Sequence, residues 1–203
     1  MSEARDSSAA QRSSLLRRGL ALEYTTLGWN VVGVVVLALA ALSARSVAVA
    51  GFGLDSLIEI GASTVVVWEL TGADEGRRKR ALRLIAAAFA LLALYLLVQG
   101  VVVLAARHHA GHSPLGIAWT GATAVAMFLL AAGKARTGRA LENPVLVSEG
   151  RVTLVDGILA TSVLVGLVLN ATLGWWWADP AAGFVLVYYA TRECVAIFRH
   201  EES

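Results

Sequence analysis

Six long apolar stretches constrain what this chain can fold into more than any other feature of its sequence. They cover approximately residues 21–43, 46–69, 82–105, 115–133, 147–171 and 174–197. Each is close to the roughly 20 residues that an α-helix needs to cross about 30 Å of hydrocarbon. Only 16% of the residues are charged, against about a quarter in a typical soluble domain. We therefore predict an all-α polytopic membrane protein with six transmembrane helices.

The distribution of basic residues predicts the orientation of these helices. Fourteen Arg and Lys residues, Lys134 among them, lie in the N-terminal tail, the second and fourth connections and the C-terminal end, against Arg45 and Arg107 on the other side. Because basic residues accumulate on the cytoplasmic side, both termini are expected in the cytoplasm. Residues 1–20 would form a cytoplasmic tail, 21–198 the transmembrane domain and 199–203 a short C-terminal tail. The expected location is the cell (plasma or inner) membrane, in contact with lipid and with no nucleic acid.

Three acidic residues lie well inside the apolar stretches. Asp55 and Glu59 are four residues apart in the second stretch, so they share one face of a helix. Glu59 lies ten residues from Glu69 at the inner end of its stretch, and Asp156 lies nine from Val147 at the inner end of the fifth. Both are expected near the middle of the bilayer, where an acidic side chain costs about 2.5–3.5 kcal/mol. Such residues need a polar cavity, a proton or a bound cation.

Converging carboxylates form an oxygen-rich site that suits divalent metal ions. We predict Asp55, Glu59 and Asp156 as ligands of a transported ion such as Zn, Mn or Co, with no resident cofactor. Glu149, seven residues before Asp156, is a further candidate ligand near the cytoplasmic surface. The alternative is that the three central acids are structural and bonded to neighbouring helices, and that Glu149 is an interfacial residue.

Other polar residues near the ends of the stretches have simpler interpretations. Glu23 is expected to be solvated or paired with a nearby Arg, and Asp179 to cap the sixth helix. His108, His109 and His112 cluster in the third connection. Clustered histidines can bind Zn or Cu, but a short exposed loop of this kind is more often solvated.

The run Asp55-Ser-Leu-Ile-Glu59-Ile-Gly-Ala-Ser63, together with Asp156, resembles the second- and fifth-helix motifs of the cation diffusion facilitator (cation efflux) family, which usually has Asp at the position of Glu59. The chain is similar to compact members that lack the C-terminal cytoplasmic metal-binding domain. The resemblance implies six spans with both termini inside, efflux of a divalent cation in exchange for protons, and a homodimer. Val152 stands where the family has a His or Asp ligand.

The leading hypothesis is therefore a divalent cation efflux transporter, not an enzyme, that works by proton-coupled antiport. Carboxylates close together in a low-dielectric site cannot all ionise, and a divalent cation displaces the protons that they hold. Val152 keeps open a non-transporting membrane metal sensor or partner protein of the same fold. Gly51-Phe-Gly-Leu-Asp55 also resembles the GxGD motif of intramembrane aspartyl proteases, although the extra Leu54 rotates the acid by about 100° around the helix.

Overall fold

The computed structural model describes residues 2–71, 75–107 and 111–201, and the regular structure in these ranges is helical throughout. The helices are α1 (Ser2–Ala44), α2 (Val47–Leu70), α3 (Glu75–Ala105), α4 (Pro114–Ala140), α5 (Pro144–Leu173) and α6 (Ala178–Glu201). The predicted all-α fold is confirmed.

Four helices in the described ranges are long and apolar enough to cross a membrane. They are Ala10–Ala44, Val47–Trp68, Pro114–Ala140 and Val145–Leu173, and α3 adds the shorter apolar stretch Ala90–Ala105. Large apolar side chains also face outward, for example Leu42, which is 78% exposed, and Leu129, which is 70% exposed. Soluble proteins rarely expose wide apolar patches, because water solvates them poorly. The helices and this surface together indicate a membrane protein.

The ends of α4 and α5 follow from local capping chemistry. The side chain of Ser113 accepts from the backbone N–H of Gly116, and that of Asn143 accepts from Leu146, so each satisfies a donor of the first helical turn. A proline follows each cap, where its missing N–H costs nothing. Gly174 ends α5 with φ of 67°, a left-handed conformation that glycine adopts without strain. Pro114 and Pro144 thus lie at helix starts.

Several helices extend beyond the apolar stretches that predicted them, α1 and α4 among them. α1 begins at Ser2, so the described part of the predicted tail is continuous with a helix that is long and apolar enough to cross a membrane. α4 continues to Ala140, seven residues past the predicted end of its stretch. Hydropathy marks where a helix becomes apolar, and charged residues such as Arg and Lys are good helix formers. For that reason a helix can continue well beyond its apolar part.

α2 lies at the centre of the helix packing. It packs against α1, α3, α5 and α6, while α4 packs against α1 and α5, and α3 packs against α6. The core between the helices includes Leu37, Phe52, Leu96, Val163 and Leu186. This arrangement places α2 beside α5, the two helices that carry the predicted acidic site.

Asp179 joins the start of α6 to the start of α2. The hydroxyl of Ser46 donates to Asp179 Oδ1, and the backbone N–H of Val47 donates to Asp179 Oδ2 at 3.1 Å. Ser46 Oγ in turn accepts from the backbone N–H of Val49 at 3.1 Å. Asp179 therefore caps α2, and the expectation that it caps the sixth helix is wrong. A neighbouring helix supplies this acceptor, which local sequence does not indicate.

Candidate cation site

The acidic residues of α2 lie inside the helix packing. Asp55 is 4% exposed and Glu59 is 3% exposed. Ser63, one further turn along, is fully buried. Because α2 is helical through all three positions, these side chains stack on one face at intervals of four residues.

Asp156 of α5 is buried without a hydrogen-bond partner. It is 2% exposed, and neither of its carboxylate oxygens has a partner among the described residues. Glu59 Oε2 is likewise buried with no partner in that part of the chain. The charges of Asp156, Glu149 and Asp55 all act on Glu59. Buried polar atoms are nearly always hydrogen-bonded, so these oxygens are candidates for holding a proton or a cation. We call Asp55, Glu59 and Asp156 the central carboxylates.

A buried lysine lies beside the central carboxylates. Lys134 Nζ donates to Glu23 Oε2 at 3.0 Å and to Glu149 Oε1 at 3.3 Å, forming ion pairs with both. It also donates to Thr153 Oγ1 at 3.0 Å. The hydroxyl of Ser63 donates to the same Glu149 oxygen at 3.4 Å. These bonds join α1, α2, α4 and α5 at one point. We call Lys134, Glu23, Glu149 and Thr153 the lysine cluster.

The lysine cluster and the central carboxylates are adjacent along α5. Glu149, Thr153 and Asp156 are spaced four and three residues apart, which places them on one helix face. At 1.5 Å per residue, Asp156 lies about 4.5 Å further along the axis than Thr153. Lys134 is also among the charges that act on Glu59. The described residues therefore form one continuous charged region with five carboxylates and one ammonium group.

The close approach of α4 and α5 accounts for the position of Lys134. A Cβ atom at Gly150 would lie 3.0 Å from the backbone nitrogen of Ala135 and 3.2 Å from Lys134 Cβ. Such contacts are tighter than most real ones, so a side chain at Gly150 would push the two helices slightly apart. The lysine side chain then reaches the face of α5 that carries Glu149 and Thr153.

Three sequence interpretations near this cluster are wrong. The sequence places Lys134 in the charged fourth connection, but the residue lies within α4 and is fully buried. Glu23 is fully buried and paired with Lys134 instead of being solvated or paired with an arginine. Glu149 is 5% exposed and paired with Lys134, so it is not a solvated interfacial residue, whereas its depth near the cytoplasmic side stays a prediction. In each case the partner comes from a different helix.

A weak signal in the sequence indicates that Glu23 and Lys134 are buried. Glu23, Thr26 and Asn30 recur at offsets of three and seven in α1, and all three are buried. Lys134 and Thr137 are three apart in α4 and are both buried. Polar residues repeated at helical spacing mark a face that packs inside a bundle. That periodicity could have placed Glu23 and Lys134 in the interior.

The acidic side chains do not form a compact ligand set in this conformation. Within the described ranges, no group of three or more His, Cys, Asp or Glu side chains is arranged so that it could hold a metal ion. Val152, at the position where the resembled family has a ligand, is half-buried. His112 is exposed, and His108 and His109 lie outside the described residues. Whether this histidine loop is solvated or binds a metal therefore stays a matter of prediction.

A cavity of about 440 Å³ opens between α4, α5 and α6. Its lining includes Phe128, Ile158 and Trp177, and none of the central carboxylates or the lysine cluster borders it. The charged region is therefore a separate feature of the molecule.

In comparisons with known proteins, no family model and no curated protein matches the chain.

Proposed function

We propose that this chain is a transporter that exports a divalent metal cation through the central carboxylates. The observation that carries the proposal is the state of Asp156 and Glu59, which present three buried oxygens with no hydrogen-bond partner in the described part of the chain. Acidic side chains are costly within a membrane, and where they occur they commonly mark an ion or proton path. Asp55, one turn from Glu59, supplies a third buried carboxylate.

The proposed transporter crosses the membrane six times with both termini in the cytoplasm. α3 and α6 add two spans to the four helices that are apolar and long enough by themselves. Removing Lys134 from the solvent-exposed charges leaves thirteen basic residues on one side against two on the other, so the positive-inside argument is unchanged. The lysine cluster then lies on the cytoplasmic side of the central carboxylates. The membrane is the plasma or inner membrane of the cell.

Transport is proposed to be coupled to protons. Asp156 and Glu59 repel each other when both are ionised, and a divalent cation favours the ionised forms. Binding of the metal thus releases protons, and protons reload the site after the metal leaves. The resemblance to the cation diffusion facilitator family supports the same exchange and a homodimer.

A membrane metal sensor or non-transporting partner of the same fold is the second candidate. Val152 in place of a ligand favours it, as does the absence, among the described residues, of a group of acidic side chains arranged to hold an ion. A transporter has to bring its ligands together in at least one of its conformations. A sensor can bind metal at other residues without moving it.

Metal uptake separates the two candidates. The purified full-length chain is reconstituted in liposomes that contain a metal-sensitive dye, and Mn, Zn, Co, Ni, Cd and Fe are offered in turn. We expect saturable uptake of at least one ion, and its loss in Asp55→Ala, Glu59→Ala and Asp156→Ala with folding retained. Metal binding without uptake in the wild type would support the sensor. Uptake that survives in all three variants would exclude this site.

A further inference from the structure

Lys134 occupies the oxygens that a cation would otherwise bind at the inner end of the charged region. Its ammonium contacts one carboxylate oxygen of Glu23, one of Glu149 and the hydroxyl of Thr153 at 3.0–3.3 Å. An ammonium group has three donors, so these three contacts use its full hydrogen-bonding capacity. Lys134 and Glu23 are both fully buried, which means that water does not compete for these bonds.

The bonding of the carboxylates divides them into two sets. Glu149 and one oxygen of Glu23 are satisfied by Lys134, whereas Asp156 has no protein partner within the described ranges. The second Glu23 oxygen, Oε1, is buried without a described hydrogen-bond partner. A cation that approaches along α5 from the side of Glu149 meets the lysine cluster before it meets Asp156. The two carboxylate oxygens that Lys134 holds, Glu23 Oε2 and Glu149 Oε1, are open to that cation only if the ammonium moves away.

We propose that Lys134 is a specificity-determining residue, a tethered cation that holds Glu23 and Glu149 until a divalent ion displaces it. This rests on the proposed cation transport. Coulomb attraction to a carboxylate is proportional to the charge of the ion. A divalent ion therefore competes with the single charge of the ammonium, while Na⁺ or K⁺ offers no more charge than Lys134 and lacks its covalent tether. Lys134 thereby lowers the affinity for every free cation and excludes monovalent ones.

Binding of Mn²⁺ alone to the purified full-length chain tests this role. Equilibrium dialysis at fixed pH compares the wild type with Lys134→Met, in which an unbranched side chain of similar length carries no charge. We expect Lys134→Met to bind Mn²⁺ about tenfold more tightly or better, and Na⁺ to become a competitor only in this variant. Lys134→Arg keeps the charge and should stay within about threefold of the wild type. Arg136→Gln is the matched control, because Arg136 lies two residues away and is exposed, and its affinity should not change.

An unchanged or weaker affinity in a folded Lys134→Met would overturn the proposal and leave Lys134 as a structural counter-ion. If that variant does not fold, Glu23→Gln is compared with the double variant Glu23→Gln/Lys134→Met, in which one charge of each sign has been removed. The double variant should bind Mn²⁺ about tenfold more tightly than Glu23→Gln alone, and equal or weaker binding would refute the proposal. A wild type that binds no divalent ion at all would instead contradict the proposed function.

Discussion

Two conservative substitutions on α5 should have opposite consequences for stability, although both replace a buried acid by its amide. Glu149→Gln removes the charge that pairs with Lys134, whose Nζ is 3.3 Å from Glu149 Oε1. Breaking a buried ion pair typically costs about 3–5 kcal/mol. Because Glu23 still holds the ammonium at 3.0 Å, we expect a loss at or just below the lower end of that range, about 2–3 kcal/mol. Asp156→Asn breaks no hydrogen bond to any described residue.

The same reasoning sets the magnitude for Asp156→Asn. An acidic residue in mid-membrane costs about 2.5–3.5 kcal/mol, and the neutral amide costs less. We therefore expect the unfolding free energy of Asp156→Asn to lie between no change and an increase of about 2 kcal/mol. Its metal transport should be lost, since the amide cannot supply an anionic ligand. Glu149→Gln should keep more transport than Asp156→Asn.

Reversible unfolding in mixed detergent micelles, followed by helical circular dichroism, measures both free energies under one set of conditions. The two variants should differ by at least about 2 kcal/mol, the amount that separates a broken buried ion pair from an unbonded acid. An Asp156→Asn variant as destabilised as Glu149→Gln would mean that Asp156 is held by bonds within the protein. If Glu149→Gln leaves the unfolding free energy unchanged, the ion pair with Lys134 contributes nothing to stability.

Three further outcomes are expected. Asp179→Ala should lower the unfolding free energy by about 1–3 kcal/mol, because it removes two buried hydrogen bonds to the start of α2. Transport per folded molecule should stay unchanged. Loss of transport at full stability would contradict this structural role. A reporter active only in the cytoplasm should work at the C-terminus and in 141–143 and be silent in 106–113, and activity in 106–113 would refute the six-span orientation. Val152→His should raise zinc affinity relative to manganese, because it adds a nitrogen ligand one turn from the central acid of α5; unchanged selectivity would place Val152 away from the site.

The sequence predicted those features of the fold that depend on the chain's local properties. Apolar stretches of about 20 residues predicted the helical class. The caps at Ser113 and Asn143 were not among the predictions, although each involves only residues within three positions of its helix start. The burial of Asp55 and Glu59 also followed, because both lie deep within an apolar run. The outer residues of each helix were harder to predict, since hydropathy does not show where a helix with charged ends stops.

The partners of the buried charges could not be predicted in this way. Lys134 is 111 residues from Glu23 in sequence, and only the packing of α4 against α1 brings them together. A lysine near the end of an apolar stretch is expected to extend toward water, and here it turns inward because α1 and α5 present carboxylates. The cap that Asp179 provides for α2 depends in the same way on contact between helices. Such pairings depend on how the helices pack in the tertiary structure, and a single sequence carries little information about that packing.

The most direct test of divalent cation transport through the central carboxylates follows metal and protons at the same time. Liposomes with a trapped metal dye and a trapped pH dye carry either the wild type or Asp156→Asn, and a metal gradient is imposed without a pH gradient. The wild type should take up metal while protons move in the opposite direction, and Asp156→Asn should do neither although it is folded. Metal flux of equal size in both proteins, or no flux in the wild type with any divalent ion, would contradict the proposal.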